Sequence, residues 1–204
     1  MNTVVVTQRV AAVPAYGERR DCLDQAWPKF LETCGLLALA VPNVPSIALR
    51  LCQATEVEGL VLTGGNDLTE LGGDAPERDQ TESALLDWAC AQQLPVIGVC
   101  RGMQLIQRRY GVPLERVEGH VSPDQTIRVE GERRRVNSYH CFGARETRAP
   151  LEVWAVADDG VIKAVRDPRE KILGIMWHPE RTSPFSASDL ELFRHAFRSA
   201  ACVA

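Results

Sequence analysis

Residues 94–104 read LPVIGVCRGMQ, and this stretch decides the fold. A short apolar run ends in Gly-x-Cys-x-Gly, and a run with apolar residues at helical spacing follows at once. Small residues on both sides of Cys100 let the backbone turn sharply from strand to helix, as in a nucleophile elbow. The start of that helix directs free amides and the positive end of its dipole at the sulfur, which favours thiolate over thiol. The stretch predicts a strand, an elbow and a helix, with covalent catalysis at Cys100.

The rest of the chain extends this unit into an alternating pattern. Apolar runs predict early strands at 3–7, 37–41, 59–63 and 95–99, and amphipathic spacing predicts helices at 18–34, 45–53 and 78–92. Later strands are predicted at 126–130, 133–137, 151–157, 161–165 and 171–176, before a last helix at 187–199. Strands alternating with helices favour a parallel sheet. We predict a flavodoxin-like α/β fold with a mostly parallel central sheet, flanking helices and antiparallel additions, in one domain over 1–204.

Charge and hydropathy argue against nucleic-acid and membrane partners. The formal net charge is −4, from 23 basic and 27 acidic residues, so no basic field attracts nucleic acid. The run Arg133-Arg134-Arg135 is expected to be a solvated hairpin turn. The longest apolar stretches are far short of the ~20 residues that span a bilayer. The N-terminus shows no signal-peptide pattern, so we expect a cytoplasmic protein.

The cysteines favour reduced thiols in the same compartment. They number seven, with no Cys-x-x-Cys pair, at positions 22, 34, 52, 90, 100, 141 and 202. All except Cys100 are expected to pack as small apolar side chains or to have no special role. No cluster of His, Cys, Asp and Glu has metal-ligand spacing, so neither a metal nor an organic cofactor is predicted.

An activated cysteine requires a histidine base and a third group that orients the base. His178 is the strongest of the four histidines, because it follows the predicted strand 171–176 and is aimed from a rigid strand end. Glu180, two residues later, can reach the other imidazole nitrogen. His195 lies on a polar helix face, and His120 is a candidate for a supporting or substrate contact. The triad predicted is Cys100, His178 and Glu180.

A cysteine acyl transfer also requires two donors for the developing oxyanion. The backbone amide of Arg101, immediately after the cysteine, is one candidate. The turn Gly64-Gly65, after the strand predicted at 59–63, offers a second amide because glycine lets the backbone approach a ligand closely. We therefore predict an oxyanion hole formed by the Gly65 and Arg101 amides.

Along the chain, the turn Gly64-Gly65 comes first, then the elbow at Cys100, and then His178-Pro179-Glu180. Together, and in this order, these motifs resemble the class I glutamine amidotransferase superfamily over nearly the whole chain. The resemblance assigns Cys100 as the nucleophile, His178 as general base and acid, and Glu180 as its orienting partner. It also implies a γ-glutamyl pocket lined by Gln104, Ser138, Tyr139 and His140. No cofactor is implied.

Cys-Arg-Gly-x-Gln together with Val-Asn-Ser-x-His is more similar to the γ-glutamyl-γ-aminobutyrate hydrolase branch than to the ammonia-channelling branch. A further set of residues resembles a subgroup that removes glutamate from γ-glutamyl-CDP-amidate in bacterial surface-polysaccharide modification. These residues are Thr7-Gln8-Arg9, Glu18-Arg19-Arg20-Asp21, Leu23-Asp24, Trp27 and Gly64-Gly65-Asn66-Asp67-Leu68. The implied reaction is hydrolysis of a small or nucleotide-linked γ-glutamyl amide through a γ-glutamyl thioester. A nucleotide substrate would bring phosphates, for which the candidate contacts are Arg9, Arg19, Arg20 and Arg101.

Three other functions stay open at this point. The chain could be a glutaminase subunit that supplies ammonia to a separate synthetase, or a γ-glutamyl-γ-aminobutyrate hydrolase. A binding or regulatory relative of the same fold is the alternative outside enzymes, although such relatives usually have a broken triad. The sequence also leaves open whether the chain forms a homo-oligomer.

Overall fold

The structure is a computed structural model that describes residues 2–198. Its strands are β1 Asn2–Val6, β2 Arg9–Val13, β3 Glu18–Cys22, β4 Leu36–Ala40, β5 Leu60–Leu62, β6 Val96–Val99, β7 Glu115–Arg116, β8 Val121–Val129, β9 Glu132–Tyr139, β10 Phe142–Gly143, β11 Glu152–Ala157, β12 Ile162–Asp167 and β13 Ile172–Ile175. Its helices are α1 Ala26–Thr33, α2 Pro45–Ala54, α3 Pro76–Ala91, α4 Arg101–Arg109 and α5 Ala187–Ala196. Short 3₁₀ turns occupy Pro14–Tyr16, Thr69–Leu71 and Pro179–Arg181.

Nine of these strands form one sheet in the order β4-β1-β5-β6-β13-β12-β11-β8-β9. The first five run parallel, and the remaining four extend the sheet antiparallel. The buried apolar side chains of α2, α3 and α4 belong to one cluster, and those of α1 and α5 to a second cluster. The predicted α/β fold, with a mostly parallel centre and antiparallel additions, is confirmed.

The helix predicted at 18–34 is wrong over its first half. Residues 18–22 form β3, which pairs with β2 in an exposed hairpin, and α1 begins only at Ala26. The apolar spacing starts at Leu23, so the polar residues before it had no periodic support for a helix. Pro28 lies in the first turn of α1, where proline is tolerated because the amides there lack intrahelical partners.

Two smaller differences concern the end of the chain and the arginine run. Arg133-Arg134-Arg135 lies in β9, and the turn before it is at Glu130–Gly131. Arg134 does not point freely into solvent, because it pairs with the buried Asp189 and covers the Trp177 ring. The last helix ends at Ala196, and Cys202 lies outside the described residues. No helix within residues 2–198 is long and apolar enough to cross a membrane.

The carboxyl ends of the parallel strands bring the sequence motifs to one edge of the sheet. β6 ends at Val99, directly before Cys100, and its neighbours β5 and β13 end shortly before Gly64 and His178. Ligands bind at this edge in open α/β sheets. The strand order therefore places three segments that are distant in sequence around one point.

Candidate active site

Cys100 occupies a strained turn between β6 and α4. Its backbone has φ 54° and ψ −105°, outside the regions that most residues adopt. The turn is fixed on both sides, since the Cys100 amide donates to Ile175 O at 2.7 Å and its carbonyl accepts from the Gln104 amide at 3.0 Å. A Cβ at Gly98 would lie 2.5 Å from Ile106 Cδ1, so only glycine lets α4 pack this closely against β6. The elbow predicted from the sequence is present.

His178 and Glu180 form a buried pair beside the cysteine. His178 Nδ1 lies 2.8 Å from Glu180 Oε1, and both side chains are almost fully buried. Pro179 opens the short 3₁₀ turn that brings the carboxylate back to the ring. The structure thus brings together the three residues of the predicted triad.

The charge on His178 is favoured by its neighbours. Burial acts to lower its pKa, but hydrogen bonds with Cys100 and Glu180 and the charges of both groups raise the pKa to about 9. An imidazolium is therefore the prevailing form at neutral pH. Reactive cysteines in proteins lie in electropositive surroundings of this kind.

Asn137, a residue to which the sequence analysis assigned no role, fixes the backbone of His178. Its side chain donates to His178 O at 2.8 Å and accepts from the His178 amide at 2.7 Å. These two bonds join the end of β9 to the backbone of His178. The sequence offered little signal for this role, since Asn137 stands near the end of a strand that is mostly charged, and its burial appears only in the structure.

The Gly64-Gly65 turn lies against the cysteine and the histidine. A Cβ on Gly64 would be 2.5 Å from His178 Cε1 and 3.5 Å from Cys100 Cβ. Gly65 has φ +84°, which favours glycine. Asn66 anchors the turn to β2, because its side chain bonds both the amide and the carbonyl of Val10. The two predicted oxyanion donors thus belong to two segments next to Cys100. Gly65 lies in the turn that packs against it, and Arg101 follows it in the chain.

The residues predicted to line the γ-glutamyl pocket are mostly buried and hydrogen-bonded. Gln104 Nε2 donates to Phe142 O at 2.9 Å, and Ser138 Oγ donates to His120 O at 2.8 Å. The Tyr139 ring lies 5.9 Å from the His178 ring. His120, predicted as a supporting contact, stacks on His140 at 5.0 Å.

Lys163 is the main charged group that sequence reasoning missed near this pocket. It is 1% exposed, and its ammonium donates to Ser138 Oγ at 3.0 Å and to His140 Nε2 at 2.6 Å. Burial lowers the pKa of Lys163 to about 8, and burial together with the Lys163 charge lowers that of His140 to about 3. Neutral His140 can therefore accept at Nε2 while donating from Nδ1 to Phe142 O. A lone lysine inside the apolar run of β12 was its only signal.

The four arginines suggested for phosphate contact lie in different settings. Arg9 is exposed and lines a small cavity together with Gly64, Gly65, His178 and Arg181. Neither Arg19 nor Arg20 lines this cavity, and they pair with Glu77 and Glu18. The Arg101 guanidinium is buried against Glu82 and Asp79, so its side chain does not serve as a phosphate contact. Arg181, beside the candidate base, was missed.

Three of the other described cysteines differ from Cys100 in setting. Cys34, Cys52 and Cys90 are buried in apolar surroundings, and burial raises the pKa of their thiols to about 12, 11 and 11. All six cysteines within residues 2–198 are free. Over the same range, no group of three or more His, Cys, Asp or Glu side chains is arranged to hold a metal ion.

The sheet order and the elbow define this chain as an α/β protein with the class I glutamine amidotransferase fold. A glutamine amidotransferase from Thermotoga maritima superimposes with a TM-score of 0.68 at 15% identity, over 95% of this chain and 83% of that one. The chain belongs to the Peptidase C26 family, whose profile matches residues 4–117 and 115–180. It is a hydrolase-type enzyme acting on amide bonds, within the γ-glutamyl hydrolase and amidotransferase-like group.

Two curated relatives span most of the chain. The γ-glutamyl-CDP-amidate hydrolase of Campylobacter jejuni is 28% identical over 179 residues, covering 86% of this chain and 88% of its own. The γ-glutamyl-γ-aminobutyrate hydrolase of Escherichia coli O157:H7 is 26% identical over 236 aligned positions, covering 95% and 92%. The resemblance inferred from the motifs is confirmed at the level of the family.

Proposed function

We propose that this protein is a cysteine-dependent γ-glutamyl hydrolase that releases glutamate from a nucleotide-linked γ-glutamyl amide, with γ-glutamyl-CDP-amidate as the best candidate. The observation that carries the proposal is the meeting of Cys100, the His178–Glu180 pair and the Gly64-Gly65 turn at one sheet edge. The similar Campylobacter jejuni hydrolase supports the choice of substrate. The free cysteines are compatible with a cytoplasmic location, and the product would serve surface-polysaccharide modification.

In the proposed reaction, the Cys100 thiolate attacks the γ-carbonyl carbon and forms a C–S bond. Negative charge moves to the carbonyl oxygen, which accepts hydrogen bonds from the Gly65 and Arg101 amides. His178 gives its proton to the nitrogen as the C–N bond breaks, which leaves a γ-glutamyl thioester. His178 then takes a proton from water, whose oxygen attacks the thioester. The C–S bond breaks, glutamate leaves and the thiolate is restored.

Arg9 is the side chain best placed to meet an anionic leaving group. Its Cδ lies 3.3 Å from the position that a Cβ on Gly65 would occupy, so it lies over the proposed oxyanion turn. Within residues 2–198 its guanidinium pairs with no carboxylate, unlike Arg19 and Arg20 on the same hairpin. An unpaired guanidinium is suited to bind a phosphate oxygen. Arg181 lies over the Tyr139 ring at 5.2 Å and adds a second positive charge at this cavity, although its Nε also lies 3.5 Å from Glu180 Oε1.

We expect Arg9→Ala to lower kcat/KM about 10- to 100-fold for the nucleotide-linked substrate, as the loss of a charge-assisted hydrogen bond implies. A γ-glutamyl amide with an uncharged leaving group should change less than about twofold, because it offers no phosphate. Arg20→Ala, on the same hairpin, is the matched control. Equal losses for both substrates would contradict a role in leaving-group recognition.

We expect Lys163→Met to raise KM for all γ-glutamyl amides about tenfold or more, because it removes two hydrogen bonds that hold Ser138 and His140. kcat should change less, because the hydrogen bonds of the ammonium go to Ser138 and His140, and its link to Cys100 is only a charge interaction. Steady-state kinetics with the exposed Lys29→Met as control measures both constants. An unchanged KM would show that Ser138 and His140 do not depend on the ammonium.

Product analysis of a substrate panel tests the proposal as a whole. The panel contains γ-glutamyl-CDP-amidate, γ-glutamyl-γ-aminobutyrate and glutamine, with mass spectrometry of the products and Cys100→Ala as control. We expect glutamate from the nucleotide conjugate at the highest kcat/KM. Turnover of γ-glutamyl-γ-aminobutyrate alone would favour that hydrolase, and glutamine hydrolysis that rises only with a synthetase partner would favour an ammonia-supplying subunit.

A further inference from the structure

Arg78, in the first turn of α3, is a buried arginine to which the proposed reaction assigns no part. It is 0% exposed, and one end of its guanidinium meets three consecutive backbone carbonyls. Nη2 donates to Thr63 O at 2.8 Å and to Gly64 O at 3.0 Å, while Nη1 donates to Gly65 O. Nη1 also reaches Asn66 Oδ1 at 3.2 Å. One side chain therefore forms hydrogen bonds with the carbonyls of both glycines of the proposed oxyanion turn and of the residue before them.

These bonds fix the direction of the Gly65 amide. In a trans peptide the C=O and N–H groups point to opposite sides. Since Gly64 O points at Arg78, the N–H of Gly65 must point away from it. Cys100 and His178 lie close to the turn, as the distances from Gly64 demonstrate. Gly64 and Gly65 do not by themselves favour this peptide orientation, because glycine adopts many others.

A buried carboxylate links Arg78 to the second proposed donor. Glu82 accepts from Arg78 Nε at 2.9 Å through one oxygen and from Arg101 Nη1 through the other. Asp79 pairs with the remaining arm of Arg101. Burial acts to raise the pKa of Glu82, but the charges of Arg101 and Arg78 hold it below its ordinary value, so the carboxylate stays ionised. Arg101 carries one proposed oxyanion amide, and Arg78 orients the turn that carries the other.

We propose that Arg78 and Glu82 are positioning residues that align the two halves of the oxyanion hole, Arg78 by orienting the Gly65 amide and Glu82 by joining Arg78 to Arg101. This inference rests on the proposed function. It predicts that stabilisation of the transition state depends on the linked side chains of Arg78, Glu82 and Arg101, whereas substrate binding and the reactivity of the Cys100 thiolate do not. The signal in the sequence was the pair Arg78 and Glu82, spaced i, i+4 on one helix face.

The test compares Arg78→Lys, which keeps the charge but loses the fork, with the isosteric Glu82→Gln. Loss of one oxyanion donor costs about 10²–10³ in kcat, so we expect that loss for Arg78→Lys and about 10-fold or more for Glu82→Gln. KM and the rate at which iodoacetamide alkylates Cys100, followed by peptide mapping, should stay within about threefold, because neither needs the oxyanion hole. Asp167→Asn is the control, because Asp167 is a buried carboxylate at the end of β12, beside the first residue of β13 and away from the end that precedes His178.

The outcomes separate the inference from the proposed function. No glutamate release by the wild type from any substrate would overturn the proposed function. Release by the wild type with unchanged kcat in the variants would overturn only the positioning role. A fall in kcat together with a fall in the alkylation rate would also overturn the positioning role, because the substitution would then have changed the reactivity of Cys100 itself. If thermal denaturation shows that Arg78→Lys is not folded, the kinetics of Glu82→Gln, which preserves the shape of the side chain, decide the question.

Discussion

Replacing Cys100 with alanine is expected to lower glutamate release about 10⁵–10⁶-fold, leaving the fold intact. The reason is that the acyl intermediate is proposed to form on this sulfur, and removal of a nucleophile from a catalytic triad has costs of about this size. Cys34, Cys52 and Cys90 do not substitute for it, since their buried thiols keep their protons at neutral pH. A continuous glutamate assay at saturating substrate measures the loss.

Cys52→Ala is the matched control, because Cys52 is a buried thiol on α2, away from the elbow. It should retain wild-type turnover. Acid quenching of the wild type during turnover, followed by peptide mapping, should recover a glutamyl adduct on the peptide that contains Cys100. Comparable turnover by Cys100→Ala and wild type would refute covalent catalysis at this residue.

Glu180→Gln is expected to lower kcat about 10²–10⁴-fold, the range that a misaligned general base loses. The carboxylate accepts from His178 Nδ1 at 2.8 Å, which fixes the ring and favours its cationic form. Glutamine has nearly the same shape but no charge. The variant should therefore fold like the wild type, and its loss should come from the orientation and the protonation of His178.

The same substitution should move the alkaline limb of the kcat/KM profile. In the wild type, His178 has a pKa raised to about 9, because its bonds with Cys100 and Glu180 outweigh burial. In the proposed reaction the imidazolium protonates the leaving nitrogen, so kcat/KM should fall as pH rises through about 9. Without the Glu180 charge, burial keeps lowering the pKa and one opposing cause is lost, so the limb shifts to lower pH. A limb that stays at the wild-type position would rule out Glu180 as the partner of His178.

Local patterns in the sequence predicted most of the sheet and the elbow. The apolar run before Cys100 and the small residues Gly98 and Gly102 specify a strand that turns at once into a helix, because periodicity and backbone freedom are local properties. The first half of the predicted helix 18–34 was wrong because local patterns do not reveal distant partners. Its residues form β3 through pairing with β2, and Asp21 bonds the backbone and the side chain of Asn43. Such partners lie elsewhere in the chain.

The charged residues around the site were the least predictable. Glu82, Arg78 and Lys163 are fully buried, although their residue types are usually exposed. Their burial depends on partners in other segments, namely the carbonyls of the Gly64-Gly65 turn, the Arg101 guanidinium and the side chains of Ser138 and His140. A single sequence does not state which charges will be paired.

The sequence by itself determined the order of the reactive groups and the local geometry at each, since a strained elbow, a glycine turn and a proline-fixed His-x-Glu are each specified by neighbouring residues. Only the tertiary structure decided that these groups meet. The strand order β5-β6-β13 brings three strand ends side by side, and the contact between Cys100 and His178 exists only because β6 and β13 pair in parallel. Long-range pairing also buries Arg78, Glu82 and Lys163, because desolvating a charge is tolerated only where the fold supplies its partners.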